Sequence, residues 1–329
     1  SWRWWLPGCM RYNRGAHGCG RERGSSAKYT LVIEDNDFAY EIGAKLKNAG
    51  MIKSDTVWTW WMDRNYPDFT YYNGEYYLNA GMSYQDLAEK LQNPDISHKK
   101  VKVTIPEGYT VFDIASTLEK KKVCSAKDFL KACSTTEGYD YDWLADFPKN
   151  DPHVGYILEG FLFPATYDFG ENSKATDIAD AMLEAFDQRI TDEVKTYCKQ
   201  RGYTLYQFVT LCSIVQKEAL SKSSQGNIAS TLENRLDKGM KIECDVTYYY
   251  AKALRDHGFS QSVYDAYYTY RCPGLPAGPI ANPGTEIMTA TVEHPSTDYL
   301  YFFSDLKGDF HFAATYGEFE SLKAKYPWQ

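Results

Sequence analysis

Residues 32 to 57, VIEDNDFAYEIGAKLKNAGMIKSDTV, align without gaps to residues 104 to 129, TIPEGYTVFDIASTLEKKKVCSAKDF, at an offset of 72. Between them GMSYQDLAEKL, residues 81 to 91, repeats the core of the same pattern. Each unit reads as a short extended run or turn, a polar residue, and a helix with apolar residues recurring at helical spacing. In the third unit Thr110 is placed to cap a helix whose stripe is Val111, Ile114, Ala115 and Leu118. In the middle unit Ser83 caps, with Leu87 and Leu91 inside. One such unit cannot bury its apolar face alone, so the three are expected to pack together as a small α+β module.

After residue 150 the texture changes. GYILEGFLFPATYDFG (155 to 170) is aromatic and ends in turn residues, and one helical pattern follows from Ala175 to about Cys198. TLYQFVTLCSIVQKEAL places Leu205, Phe208, Val209, Cys212, Val215 and Ala219 at helical spacing. GNIASTLENRLDKGM puts Ile228, Leu232 and Leu236 on one face, with Gly239 as the stop. The loop RCPGLPAGPIANPG (271 to 284) holds four prolines in 14 residues, and a segment that costly to order is usually functional or a packed lid. TDYLYFFSD then reads as a buried strand, GDFHFAAT as its hairpin partner and YGEFESLKAKY as a closing helix. The fold class is therefore α+β: a repeat-bearing module over 28–104 and a larger domain over 105–329, preceded by a flexible basic tail over 1–27.

Charge narrows the partners. The net charge is −8, yet residues 1 to 27 carry five arginines against one acid, Glu22, leaving the remainder at −12. A body of that sign is unsuited to nucleic acid. Aromatics reach 16%, with 28 tyrosines, whose flat faces and hydroxyls suit sugar rings but serve cores and surfaces equally well. No apolar run approaches the roughly 18 residues of a membrane span. The arginines of the tail would attract anionic headgroups were it juxtamembrane. The eight cysteines show no zinc-like spacing; Cys9 with Cys19 or Cys124 with Cys133 are candidate disulfides, and Cys198 and Cys212 read as buried thiols. His294 and His311 read as structural, and no metal or other cofactor is implied.

SIVQKEALSK (213 to 222) carries a single carboxylate, Glu218, with Gln216 two positions before it. Residues two apart on a helix point in roughly opposite directions, so the two side chains cannot share one site. Glu218 lies over Leu211, Ile214 and Val215, an apolar neighbourhood able to raise a carboxyl toward the range of a general acid. The alternative is an exposed i,i+4 pair with Lys222. The helix alone favours that pair.

The motifs, taken in order, resemble those of the membrane-anchored endolytic murein transglycosylases of the YceG-like family, from about Tyr29 to the C-terminus. IPEGYT (105 to 110) matches I-P-E-G-x-T, LEGFLFPATYDF (158 to 169) resembles E-G-x-x-x-P-x-T-Y, and SIVQKEA matches S-I-V-E-K-E-[TA]. NRLDKGMKIECDVT (234 to 247) matches N-R-L-x-x-G-M-x-L-x-[ST]-D-P-T and YYTY (267 to 270) matches Y-N-T-Y. GLPAGPIANPG (274 to 284) and HPSTDYLYFF (294 to 303) complete the series. Gln216 departs from a Glu, Tyr268 from an Asn, and Val246, Ala266 and Ala277 from prolines. In the wider lytic transglycosylases the catalytic glutamate precedes a small residue, which places it at Glu218, before Ala219, rather than at position 216. A register wrong by two would make the chain an inactive variant.

The resemblance implies a LysM-like module followed by a lysozyme-like catalytic domain, acting on nascent peptidoglycan strands outside the cell membrane beside peptidoglycan synthases. Anchorage would come from an N-terminal membrane helix that this sequence lacks. It makes Glu218 the general acid/base. Asp245, Thr247, Thr269 and Tyr270 would orient sugar hydroxyls or the acetamido group, with Glu159, Gln216 and Asn234 also along the groove, bordered by the loop at 274–284. Glu159 is equally placed to cap a turn, and Asn234 and Arg235 to pin helices together. A hydrolytic muramidase using Glu159 or Asp245 as a second carboxylate, and a non-catalytic glycan-binding scaffold, are the other readings.

Overall fold

The computed structural model describes residues 27–34, 37–97, 99–219 and 221–328. The tail and the Cys9–Cys19 pairing lie outside them. The chain divides into two compact units, the first comprising residues up to 101 with 170–172, the second 102–169 with 173–329.

The first unit is a three-stranded antiparallel sheet with helices. β1 (Lys28–Ile33) is followed by α1 (Ala39–Asn48), α2 (Asp55–Asn65), β2 (Gly74–Asn79), α3 (Tyr84–Lys90) and β3 (Ile96–Ser97), with β2 in the middle of the sheet. Alternation sends Leu31 and Ile33 of β1 inward, and Leu31 stands opposite Tyr76 in the register. Ile42 and Leu46 of α1, Trp58 of α2, and Leu87 and Leu91 at α3 close one core over them. Gly74 has φ +154°, and a Cβ there would meet the Ile96 carbonyl at 2.2 Å, so only glycine lets β3 approach.

The second unit opens with the third repeat. The chain crosses between units within β4 (Lys100–Thr104), followed by α4 (Val111–Lys120) and α5 (Ala126–Ala132). The bounds of α1 and α4 are related by the same offset of 72 that aligned their sequences. Thr110 caps α4 as expected, its hydroxyl accepting from Asp113 N–H at 3.2 Å, and Val111, Ile114, Ala115 and Leu118 are buried. The third repeat belongs to the second unit, where α5 packs on α6 (Ala175–Asp187), which follows β5 (Thr166–Gly170).

The single helical pattern over Ala175 to Cys198 is also corrected. It is two helices, since Thr191 takes the N-cap of α7 (Asp192–Arg201) by accepting from Val194 N–H at 3.3 Å. α8 (Leu205–Glu218) is buried without interruption from Phe208 to Val215. A stretch of helix buried on all sides must be surrounded. α7, α9 (Lys222–Asp237), α10 (Asp245–Asp256) and α12 (Thr285–Val292) pack on it, with α11 (Gln261–Tyr267) against α10. β6 (Tyr301–Ser304) and β7 (Phe310–Ala313) form the expected hairpin before α13 (Tyr316–Lys325), but β6 is half-buried rather than buried. Cys124 and Cys133 are free thiols rather than a disulfide, and Cys198 and Cys212 are buried thiols. Among the described residues no helix is long and apolar enough to cross a membrane.

Candidate active site

α8 stops at Glu218 because Ala219 turns extended, with φ −73° and ψ 112°. The chain then restarts as α9, and Lys222 pairs with Glu286 at 3.2 Å. The exposed Glu218–Lys222 pair, which requires one continuous helix, is thus replaced by a different geometry. Glu218 faces the start of α10, meeting the Cys244 thiol and the Val246 backbone N–H. Its carboxyl is pushed up to about 7, first by burial and further by the negative charge of Asp245; the bonds from Cys244 and Val246 pull the other way. Part of the side chain remains accessible. A group poised between its two forms at neutral pH, and reachable from outside, can both give and take a proton.

Asp245 begins α10 and is exposed. The Tyr270 hydroxyl, held protonated first by burial and then by this bond, donates to it. Glu218, Asp245 and Tyr270 therefore stand together. Thr247 and Thr269 do not join them at the surface, both being wholly buried. Cys244 N–H donates to Thr269 Oγ1 at 3.0 Å, Thr269 N–H donates to Thr247 Oγ1 at 3.2 Å, and the two hydroxyls lie 2.9 Å apart. The expectation that they touch sugar is corrected: they fix the start of α10, and so the donors that face Glu218.

Glu159 is corrected likewise, having no exposed surface. Its carboxyl accepts from Val111 N–H at 2.8 Å, Tyr250 Oη at 2.9 Å and Asn282 Nδ2 at 2.7 Å. Burial pushes it up to about 7 against those bonds. Asn282 completes a clasp: its Oδ1 accepts from Gly160 and Leu162 N–H, each at 2.9 Å, and its Nδ2 also donates to the Tyr109 carbonyl at 3.0 Å. The proline-rich loop is further tied to α8, where Ile280 N–H donates to Ser213 Oγ at 3.0 Å and Gly284 N–H to Gln216 Oε1 at 3.0 Å. Gln216 thus holds the loop on a different side of α8 from Glu218. Asn234 is a strut, donating to the carbonyls of Thr297 at 2.8 Å and Tyr299 at 3.0 Å. Arg235 donates to the Ile242 carbonyl at 2.7 Å.

Two residues that the sequence did not single out matter here. Cys244 bonds Glu218, and Asn282 organises the loop; the first was signalled only by standing next to Asp245, the second by lying between prolines in a loop costly to order. Two cavities of about 590 and 460 Å³ lie elsewhere, beside Lys127, Tyr156 and His257 and beside Tyr203, Tyr206 and Pro276. Glu218 lines neither of them. Among the described residues no three His, Cys, Asp or Glu side chains gather as a metal-holding group.

Comparison with known proteins agrees with the motif order. The chain is 29% identical over 308 residues to an endolytic murein transglycosylase of Streptococcus pneumoniae, covering 86% of this chain and 55% of that protein. It therefore spans about half the length of that relative. It is 28% identical over 316 residues to an endolytic murein transglycosylase of Bacillus subtilis, covering 93% of this chain and 86% of the other. A crystal structure of a yceG-like protein from Listeria monocytogenes superposes with a TM-score of 0.57 at 28% identity, over 91% of this chain and 100% of that one. The sequence pattern of the YceG-like family matches residues 31–325, and the chain belongs to that family.

Proposed function

We propose that this chain is a peptidoglycan lytic transglycosylase that cuts glycan strands internally, with Glu218 as its only general acid/base. The observation that carries the reading is the Glu218 carboxyl, pushed up to about 7 and set against the start of α10. The relatives' printed activity, murein transglycosylation, supplies the substrate class. Cleavage without water needs one such group. Glu218 gives its proton to the oxygen leaving C1 of N-acetylmuramic acid as the glycosidic bond breaks. The C6 hydroxyl of the same sugar attacks C1, and its proton returns to the Glu218 carboxylate, leaving a 1,6-anhydro end. Because the nucleophile is tethered to the reacting carbon, no second carboxylate is required to raise its concentration. An ordinary glycosidase would use two carboxylates.

Among the described residues Asp245 is the carboxylate beside Glu218 that favours the hydrolytic alternative, since it is exposed and close enough to raise its neighbour's pKa. Its bond from Tyr270 suits a different role, orienting a sugar hydroxyl or the acetamido group. The first unit is read as a LysM-like glycan-positioning module and the second as lysozyme-like. The setting is extracytoplasmic, with anchorage by a membrane helix outside this sequence and peptidoglycan synthases as neighbours. Mass spectrometry of digested peptidoglycan tests the reaction: anhydro ends are expected, reducing ends would establish the muramidase, and intact strands the scaffold. Glu218→Gln should remove the anhydro product while circular dichroism stays unchanged.

A further inference from the structure

Five tyrosines form a connected surface that neither the core nor the proton transfers use, Tyr248, Tyr249 and Tyr270 exposed and Tyr264 and Tyr268 half-buried. Tyr270, 41% exposed, touches Tyr268 at a ring separation of 5.4 Å; Tyr268 reaches Tyr248 at 5.6 Å and Tyr264 at 5.8 Å; Tyr248 reaches Tyr249, itself 68% exposed, at 5.5 Å. Beneath them the buried Tyr250 and Tyr267, 5.4 Å apart, pack α10 on α11. The outer tyrosines lie to the solvent side, Tyr248 and Tyr249 on α10, Tyr264 on α11, and Tyr268 and Tyr270 where the chain leaves α11. Arg271 stacks over Tyr264 and Tyr268 at 5.3 and 5.8 Å and is neutralised by Asp265 at 2.6 Å, so it braces the rings without leaving a bare charge.

What lies on this surface follows from its chemistry and from where it begins. Its inner end is Tyr270, whose hydroxyl bonds Asp245 beside Glu218. Its outer end is Tyr249, several ring contacts away. A small molecule at Glu218 cannot span both, whereas a polymer entering the site must cross something beside it. Tyrosine faces offer apolar area to the axial C–H faces of pyranose rings, and their hydroxyls meet the equatorial hydroxyls and amides. We propose that the tyrosine face of α10 and α11 is a subsite platform that binds N-acetylhexosamine units flanking the scissile bond, so that recognition depends on strand length. The proposal rests on the glycan-cleaving reading above, and its test is separable from that reading.

The test is binding by the catalytically blocked Glu218→Gln protein, with N-acetylglucosamine hexamer and dimer as probes in calorimetry. Tyr248→Ser with Tyr249→Ser should weaken hexamer binding about tenfold and leave dimer binding within about twofold, because exposed anchors contribute only to a ligand long enough to reach them. Tyr249→Trp keeps the flat face and should retain hexamer affinity, which separates stacking from misfolding. An unchanged hexamer affinity in the double variant, or an equal loss for hexamer and dimer, would overturn the platform. Cleavage by the unsubstituted protein is scored apart: activity with no effect of the tyrosines removes the platform alone, and tyrosine-dependent hexamer binding without any cleavage removes the enzymatic reading alone.

Discussion

The side-chain oxygen of Gln216 accepts the backbone N–H of Gly284 at 3.0 Å, so the residue that departs from the family's glutamate still joins α8 to the proline-rich loop. Gly284 is also where Glu107 comes close, since a Cβ at that glycine would meet Glu107 Oε1 at 1.9 Å. Gln216→Glu keeps an acceptor for Gly284 and adds a charge near an existing carboxylate. Its kcat/KM should change by no more than about threefold, as expected of a group that transfers no proton. Gln216→Ala removes the bond and should cost about 1 kcal/mol in denaturant unfolding. Activity that appears only in Gln216→Glu would move the catalytic position to 216.

Glu218 must start each cycle protonated, so kcat/KM should fall as pH rises through about 7. Asp245→Asn removes a charge that raises this carboxyl, and the alkaline limb should move to lower pH. Cys244→Ser, with a stronger donor than a thiol, should move it the same way. Lys222→Ala should leave it in place, because that ammonium pairs with Glu286. The Glu218→Gln variant should lose about two to four orders of magnitude in rate. A limb unmoved by Asp245→Asn would count against Glu218 as the titrating acid.

His294 offers a separate pH test. Its Nδ1 faces the Pro295 carbonyl at 2.9 Å and its Nε2 faces Glu233 at 2.9 Å, both acceptors, so both ring nitrogens are called on to donate. The hydrogen bond to Glu233 is the main cause that holds its pKa above the ordinary 6.5, while burial and Arg201 oppose it. Glu233 is also bonded by the Tyr197 hydroxyl and lies 3.3 Å from Arg201 Nε. A raised folded pKa means that the stabilisation is complete below the unfolded pKa and is lost as pH rises through the folded one. Melting temperatures measured from pH 6 to 9 should therefore fall more steeply in the unsubstituted protein than in His294→Gln.

Glu159 needs both oxygens as acceptors. Glu159→Gln would turn its amide either to Asn282 Nδ2 or to the Val111 N–H, setting donor against donor, and should cost about 1 to 3 kcal/mol. Asn282→Ala deletes the clasp and should cost about 2 to 4 kcal/mol in denaturant unfolding. Either loss would slow the enzyme through the loop while leaving the Glu218 limb of the pH profile near its original position. A pH limb displaced as far as in Asp245→Asn would mean that Glu159 communicates electrostatically with the site.

Much of this was legible in the chain itself. The offset of 72 found the matching strand–helix–helix units, because capping and apolar spacing are local properties: Thr110, Val111, Ile114 and Leu118 needed no neighbours to declare α4. The spacing of Leu205, Phe208, Val209, Cys212 and Val215 likewise marked a buried stripe on α8, but not that Thr210 and Ser213 would be buried as well, which the spacing does not record. What failed were directions and interruptions. Thr191 stops a continuous apolar pattern by capping, a choice the pattern does not record. Thr247 and Thr269 stand in motifs beside exposed Asp245 and Tyr270, yet point inward, and a motif position carries no bearing. Glu159 gave a usable hint, a carboxylate embedded in LEGFLF, where only multiple hydrogen bonds make burial tolerable. The role of Cys244 depends on the meeting of α8 and α10, which neither helix encodes alone.

The Asn282 clasp also sets an order of assembly. One side chain joins Tyr109, Glu159, Gly160 and Leu162, partners 120 to 173 residues earlier in the chain. Contacts that distant close late, after the entropy of the intervening loop has been overcome. A nascent chain that has emerged only as far as α8 already contains Glu218, but neither the donors of α10 nor the loop that Asn282 fastens. The acid is thus synthesised well before the surroundings that give it a useful proton affinity. A partly made chain is chemically silent, and competence arrives with the final third of the polypeptide.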